Sequence, residues 1–163
     1  MHLYLLRHGI AEDIHPGGDD AGRALTPEGR RKLRQVLETV RRARVDPGLI
    51  LASPLKRARE TAEVAQDVLR YKNKLLETKA LVPNATPQTA WDEIRLHKSE
   101  SSILAVGHNP LFAHLAAYLL GYENLRIDFK KGGILCVNLE SFAMHPKGTL
   151  QWYLTPKLAG SNA

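Results

Sequence analysis

Apolar residues fall along this chain in two rhythms: short unbroken runs, and longer stretches in which they return every third or fourth position. The runs LYLL (3–6), GLILA (48–52) and SILAV (102–106) have the length of buried strands. In EGRRKLRQVLETVRRAR, Leu33, Val36, Leu37 and Val40 stand at i, i+3, i+4 and i+7, which predicts an amphipathic helix with a cationic outer face. Thr26-Pro27 opens it, Thr as N-cap and Pro at the first helical position. A second helix follows Ser53-Pro54, with Leu55, Ala58, Ala62, Ala65 and Leu69 on one face. A third lies around AWDEIRLH (90–97), after the polar stretch PNATPQT. A fourth opens at Asn109-Pro110 and turns Leu111, Phe112, Leu115, Ala116 and Leu119 inward. LLETKAL (75–81) reads as a short strand. ILCVNLE (134–140) and TLQWYLT (149–155) read as two closing strands, a meander at one sheet edge. The final LAGSNA reads as frayed.

Strands that alternate with helices predict an α/β fold, a three-layer α/β/α sandwich around a mostly parallel sheet of about six strands. The length of 163 residues fits a single domain, 1–163. No apolar stretch reaches the ~20 residues of a membrane span. The first run is too short for a signal peptide and is cut by Arg7 and His8, so a cytoplasmic protein is expected. The single cysteine, Cys136, rules out an intramolecular disulfide, agrees with a reducing compartment, and reads as a small buried apolar side chain. The net charge of +6 is compatible with acidic or phosphorylated partners. Much of it lies on the predicted first helix, as a solvated face or a docking surface for an acidic partner. No aromatic residues interleave with those charges, which argues against a single-strand nucleic-acid platform.

Candidate chemistry collects where predicted strands end. In an open parallel sheet, ligands bind outside the carboxyl ends of the strands. LYLL ends in Arg7-His8-Gly9. GLILA ends in Ser53-Pro54, with Lys56, Arg57 and Arg59 one turn on. SILAV ends in Gly107-His108-Asn109-Pro110. If these strands neighbour one another, two histidines and at least two arginines meet in one crevice. Arginines present planar forks that match phosphate oxygens, and helix N-termini add N–H groups and partial positive charge. A neutral imidazole is available as a nucleophile. No cysteine cluster, HExxH or carboxylate-rich loop points to a metal, and no GxxxxGK[ST] loop points to a nucleoside triphosphate. His2, His15, His97, His114 and His145 share none of this context and read as structural.

LRHG at the first strand end, SPLKRARETAEV after the second and VGHNP after the fourth together resemble the histidine phosphatase superfamily, also called phosphoglycerate mutase-like. The short length, ALTPEGRRK and VGHNP make the SixA-type phosphohistidine phosphatases the closest resemblance. It implies that His8 is a nucleophile that becomes phosphorylated and is then hydrolysed, with no cofactor. Arg7, Arg57 and His108 would complete a phosphate pocket whose positive charges keep His8 unprotonated. Gly9 would leave room for the substrate beside the backbone, Asn109 would cap the following helix, and Arg23 would add a phosphate or partner contact.

Larger superfamily members carry an acid, usually Glu, after the third strand to protonate the leaving oxygen. None can be placed in LVPNATPQTAWDEI, where Asp92 and Glu93 look like a helix's polar side. An alkoxide gains ~10²–10⁴-fold from a general acid, whereas a phosphohistidine loses imidazole through a labile P–N bond. The missing acid therefore favours histidine-phosphorylated proteins as partners, approaching a shallow open pocket. Two alternatives stand beside this. One is a phosphomonoesterase with Asp13, Asp19, Asp20, Asp92 or Glu93 as its acid. The other is a phosphate-binding module without turnover. The loop Ile10–Leu25 is expected to help choose the substrate.

Overall fold

The computed structural model describes residues 1–160. The elements run β1 (His2–Arg7), α1 (Pro27–Arg42), β2 (Leu49–Ala52), α2 (Lys56–Leu69), β3 (Leu76–Glu77), α3 (Pro87–Leu96), β4 (Ser102–Gly107), α4 (Leu111–Leu119), β5 (Ile134–Ser141), β6 (Lys147–Leu154) and α5 (Pro156–Gly160). They build one six-stranded sheet in the order β3-β2-β4-β1-β5-β6. The strands β3, β2, β4 and β1 run parallel, and β5 is antiparallel to both of its neighbours. The closing meander at one edge is therefore present, as the sequence predicts.

Alternate residues of each central strand feed two separate cores. Tyr4, Leu6, Ile50, Ala52, Leu104 and Val106 face α1 and α2, with Cys136 buried in the same layer. Leu3, Leu5, Leu49, Leu51, Ile103 and Ala105 face α3 and α4, where Trp91, Phe112 and Phe129 are fully buried. A sheet covered on both faces needs apolar residues at every strand position, which is why the strands read as unbroken apolar runs. Helix α1 buries the predicted stripe Leu33, Val36, Leu37 and Val40, and Thr26 caps it by accepting from the Gly29 N–H at 3.0 Å. Among the described residues, no helix is long and apolar enough to cross a membrane.

Four local expectations need correction. Of LLETKAL, only Leu76 and Glu77 are strand, and both are exposed. The Thr78 hydroxyl then accepts from the Ala80 N–H and turns Lys79–Leu81 into a 3₁₀ turn that buries Ala80 and Leu81. Helix α3 starts at Pro87 rather than Ala90, because Thr86 caps it within the stretch read as polar loop. Helix α2 starts at Lys56, leaving Ser53 outside the helix and free for another partner. Leu158–Gly160 belong to α5, which packs on α1, while Ser161–Ala163 of the expected frayed end lie outside the described residues.

Helix α1 starts beside the end of β1 because two glycines let the backbones approach. A Cβ on Gly29 would lie 2.2 Å from the Ile10 carbonyl oxygen, and one on Gly9 would lie 2.6 Å from Leu33 Cδ1. Gly29→Ala is therefore expected to destabilise by about 1–3 kcal/mol through overpacking against backbone that cannot yield. Gly22→Ala, where a Cβ meets open space, should stay within about 0.5 kcal/mol. Urea unfolding of the two variants checks this contrast.

Candidate active site

The sheet order places β4 between β2 and β1, so the three polar strand ends lie side by side. Arg7 is level with Gly107, and Ala52 with Val106. The ladders continue one residue further, with the His8 N–H on the Gly107 carbonyl and the Ser53 N–H on the Val106 carbonyl, both at 2.9 Å. This register sets the rings of His8 and His108 5.0 Å apart, centre to centre.

His8 is fixed by its own chain. Its Nδ1 lies 2.7 Å from the Gly9 carbonyl oxygen. That oxygen can only accept, so Nδ1 carries the proton and Nε2 keeps its lone pair. Gly9 is pinned in turn, its N–H donating to the Thr61 hydroxyl at 3.2 Å. Thr61, fully buried in α2, donates to the Arg57 carbonyl at 2.7 Å. One threonine thus ties the His8 segment to the helix that carries Arg57.

Two arginines flank the imidazoles. Arg57 is 4 % exposed, and its guanidinium donates to the Asp20 carbonyl at 2.8 Å and the Asp20 carboxylate at 3.0 Å. Arg7 donates to the Phe129 carbonyl. The turn around Gly132, a left-handed position with φ 73°, bonds back to the Arg7 and His8 carbonyls. It brings Lys131 close enough to act on His8. Among the described residues, Arg7 Nε, Arg57 Nε and His108 Nδ1 are buried without a protein partner. Buried polar groups are normally satisfied, and these nitrogens belong to the side chains that the strand ends bring together.

The electrostatics follow from burial among cations. Burial pushes His8 down to about 3; the Gly9 carbonyl opposes this, while Arg57, Arg7 and Lys131 reinforce it. His108 is also pushed down to about 3, by burial first and then by His8 and Arg57, with Asp20 opposing. Both rings are neutral near pH 7. Asp20 is held below the ordinary carboxylate range, chiefly by Arg23 and then by Arg57, so it is an anion.

The structure unites Arg7, His8, Arg57 and His108, and places the other expected residues differently. Arg23 reaches the site through Asp20, at 3.0 Å, while its Nε holds the Glu12 carbonyl. Asn109 does not cap α4: Pro110 is the cap position, and the Asn109 amide donates to the Phe129 carbonyl at 3.4 Å. Gly9 is required by close packing with Leu33. Of the five candidate acids, Asp20 is the one bonded to a site arginine. Asp92 pairs with Arg95, Glu93 with His97, and Asp19 caps the 3₁₀ turn at Asp20–Gly22, while Asp13 is exposed. His8 is 6 % and His108 1 % exposed, and the Ile10–Leu25 loop docks Asp20 on Arg57. Sequence reasoning missed Ser53 and Thr61 as site components. Both lie in the SPLKRARETAEV motif, but the partners that place them in the site, His108 for Ser53 and Gly9 for Thr61, come from distant segments that follow β4 and β1.

This combination of fold and strand-end chemistry is that of one class, and the chain belongs to the histidine phosphatase superfamily. The model of that superfamily's branch 1 matches residues 3–80. Within it, the chain is 30% identical over 135 residues to the phosphohistidine phosphatase SixA homolog of Haemophilus influenzae, covering 76% of this chain and 80% of that one. It is 26% identical over 162 residues to phosphohistidine phosphatase SixA of Escherichia coli, covering 96% and 94%. The solved structure of the protein histidine phosphatase SixA complexed with tungstate superposes with a TM-score of 0.87 at 25% identity, covering 96% of this chain and 98% of that one.

Two predictions follow from this geometry. Thr61→Val removes the acceptor for the buried Gly9 N–H and should cost about 1–3 kcal/mol in urea unfolding. The second concerns acid. Each histidine binds a proton in the unfolded chain near its ordinary value of 6.5 but in the fold only near 3. The unfolded state therefore holds more protons across that window, and stability falls as pH drops from about 6.5 toward 3. Urea midpoints measured from pH 7 to 4 should decline less steeply for His8→Gln than for the wild type.

Proposed function

We propose that the chain removes phosphate from histidine-phosphorylated proteins, with His8 as the nucleophile and a phosphohistidine enzyme intermediate. The observation that carries this reading is the His8–Gly9 hydrogen bond. It leaves Nε2 unprotonated in a neutral ring, beside two arginines with unpartnered Nε groups. Similarity to proteins named phosphohistidine phosphatases supports the choice of substrate.

In this mechanism the substrate phosphoryl group binds between Arg7, Arg57 and His108, whose donors hold its oxygens and stabilise charge in transit. Binding requires Arg57 to exchange the Asp20 carboxylate for a phosphoryl oxygen. The His8 Nε2 lone pair forms a new N–P bond in line with the P–N bond that breaks. The substrate imidazole, protonated beforehand on its other nitrogen, leaves neutral. Water then attacks phosphorus, the His8 Nε2–P bond breaks, and the water proton passes to the released phosphate or to solvent. Because Nδ1 keeps its proton on Gly9, His8 also departs from phosphorus as a neutral imidazole. Neither departure needs a strong acid.

A second reading is favoured by one observation. Asp20 lies on Arg57, where a carboxylic acid could protonate a leaving alkoxide of a phosphomonoester. Its ionised state, bound to Arg23 and Arg57, weighs against that role. The readings separate in hydrolysis assays with a phosphohistidine-bearing phosphotransfer domain and a panel of phosphomonoesters, all in chelator. Rapid release is expected from phosphohistidine alone. It should be abolished in His8→Ala and lowered by about 10²–10³-fold in Arg57→Ala, the usual effect of losing a transition-state donor. Efficient monoester turnover that falls in Asp20→Asn would favour the second reading. Phosphate binding without turnover of either substrate would mark a recognition module.

A further inference from the structure

Among the described residues, one side chain hydrogen-bonds the His108 ring. Ser53 follows β2 and is fully buried. Its Oγ lies 2.8 Å from His108 Nε2. The same oxygen accepts from the Leu55 N–H at 3.4 Å. Among the described residues, the hydroxyl proton has no other acceptor than His108 Nε2. If the ring donated to Ser53 instead, that proton would be stranded in a buried place, at the cost of an unmade hydrogen bond. The economical arrangement has the Ser53 O–H donating, Nε2 accepting and Nδ1 carrying the ring's single proton. Nδ1 is also the ring nitrogen left without a protein partner.

We propose that Ser53 is a positioning residue: its hydroxyl fixes His108 in the Nδ1–H tautomer, so that the ring offers an N–H donor to a phosphoryl oxygen. The value of that donor to turnover rests on the phosphatase reading above; the tautomer does not. His108 remains neutral because it is buried beside His8 and Arg57, so one of its nitrogens is always without a proton. A ring in the opposite tautomer would turn a lone pair toward the anion and repel it. Ser53 acts at the end of β2 on a residue at the end of β4, so the adjacency of those strands is itself part of the device.

The test is a long-range ¹H–¹⁵N spectrum of the imidazoles near pH 7, with and without inorganic phosphate. It is run on the wild type, Ser53→Ala and Ser53→Thr, with the His108 signals assigned by their loss in His108→Gln. The wild type is expected to show His108 as the Nδ1–H form, with phosphate shifting that proton. Ser53→Ala should populate the Nε2–H form and lower kcat for phosphohistidine by about tenfold, the share of one hydrogen bond. Ser53→Thr, which keeps the hydroxyl, should restore both. A wild-type ring in the Nε2–H form overturns the proposal. So does a Ser53→Ala protein with unchanged tautomer or unchanged rate. If Ser53→Ala does not fold, the wild type and Ser53→Thr still decide: an Nε2–H ring in either refutes the assignment, and Nδ1–H in both sustains it. If the wild type hydrolyses nothing, the functional reading fails alone, and the phosphate-bound spectrum judges the tautomer.

Discussion

Everything at this site depends on β4 lying between β1 and β2 in parallel register. Neighbouring strands stand about 4.8 Å apart, so three adjacent parallel strands put their carboxyl ends within one phosphate's surroundings. β1 supplies Arg7 and His8, β2 supplies Ser53 and leads to Arg57, and β4 supplies His108. The chain reaches this order by running from β1 past the place of β4 to β2, outward to β3, and back. The gap left by that excursion is filled by a strand that is apolar on both faces, as a central strand must be.

Upon that frame, main-chain groups perform the fine positioning. The Gly9 carbonyl selects the tautomer of His8, and the Thr61 hydroxyl holds the Gly9 N–H while bonding the first turn of α2. Close approach of α1 at Gly29 and of Leu33 at Gly9 prevents this segment from shifting. Such precision has a cost in stability. Two imidazoles are buried neutral among cations, and arginine and histidine nitrogens are buried without protein partners. Polar groups held ready in a buried site are the arrangement that favours charge developing in a transition state, because little reorganisation is left to do. Asp20 occupies Arg57 in the folded molecule, so any anion that is to bind this arginine competes with an internal carboxylate.

Much of this was legible in the sequence, for physical reasons. Buried parallel strands cannot tolerate polar residues, so LYLL, GLILA and SILAV stood out, and the abrupt appearance of Arg7, His8 and His108 at their ends marked the sheet's binding edge. The stripe of α1 and its Thr26 cap were equally plain. What stayed hidden depends on contacts between distant segments. Ser53 sits before Pro54 in a helix-opening pattern, and only β4 reveals His108 as its partner. Gly9 suggested space for a ligand, whereas the fold uses it for close packing, since a Cβ there would meet Leu33. Asp20 was one of five carboxylates of equal standing until the loop folded it onto Arg57. LLETKAL looked like a strand because leucines bracket it; Thr78 turns the chain and sends Leu81 into the core.

The central claim is that His8 Nε2 accepts the phosphoryl group. The most direct measurement is a rapid quench into alkali of the protein mixed with a phosphohistidine-bearing phosphotransfer domain, followed by mass spectrometry of its peptides. The account predicts a transient phosphate on His8, stable in alkali and lost in acid, that forms and decays fast enough to carry turnover. Turnover with no label on His8, or with the label on another residue, would contradict it.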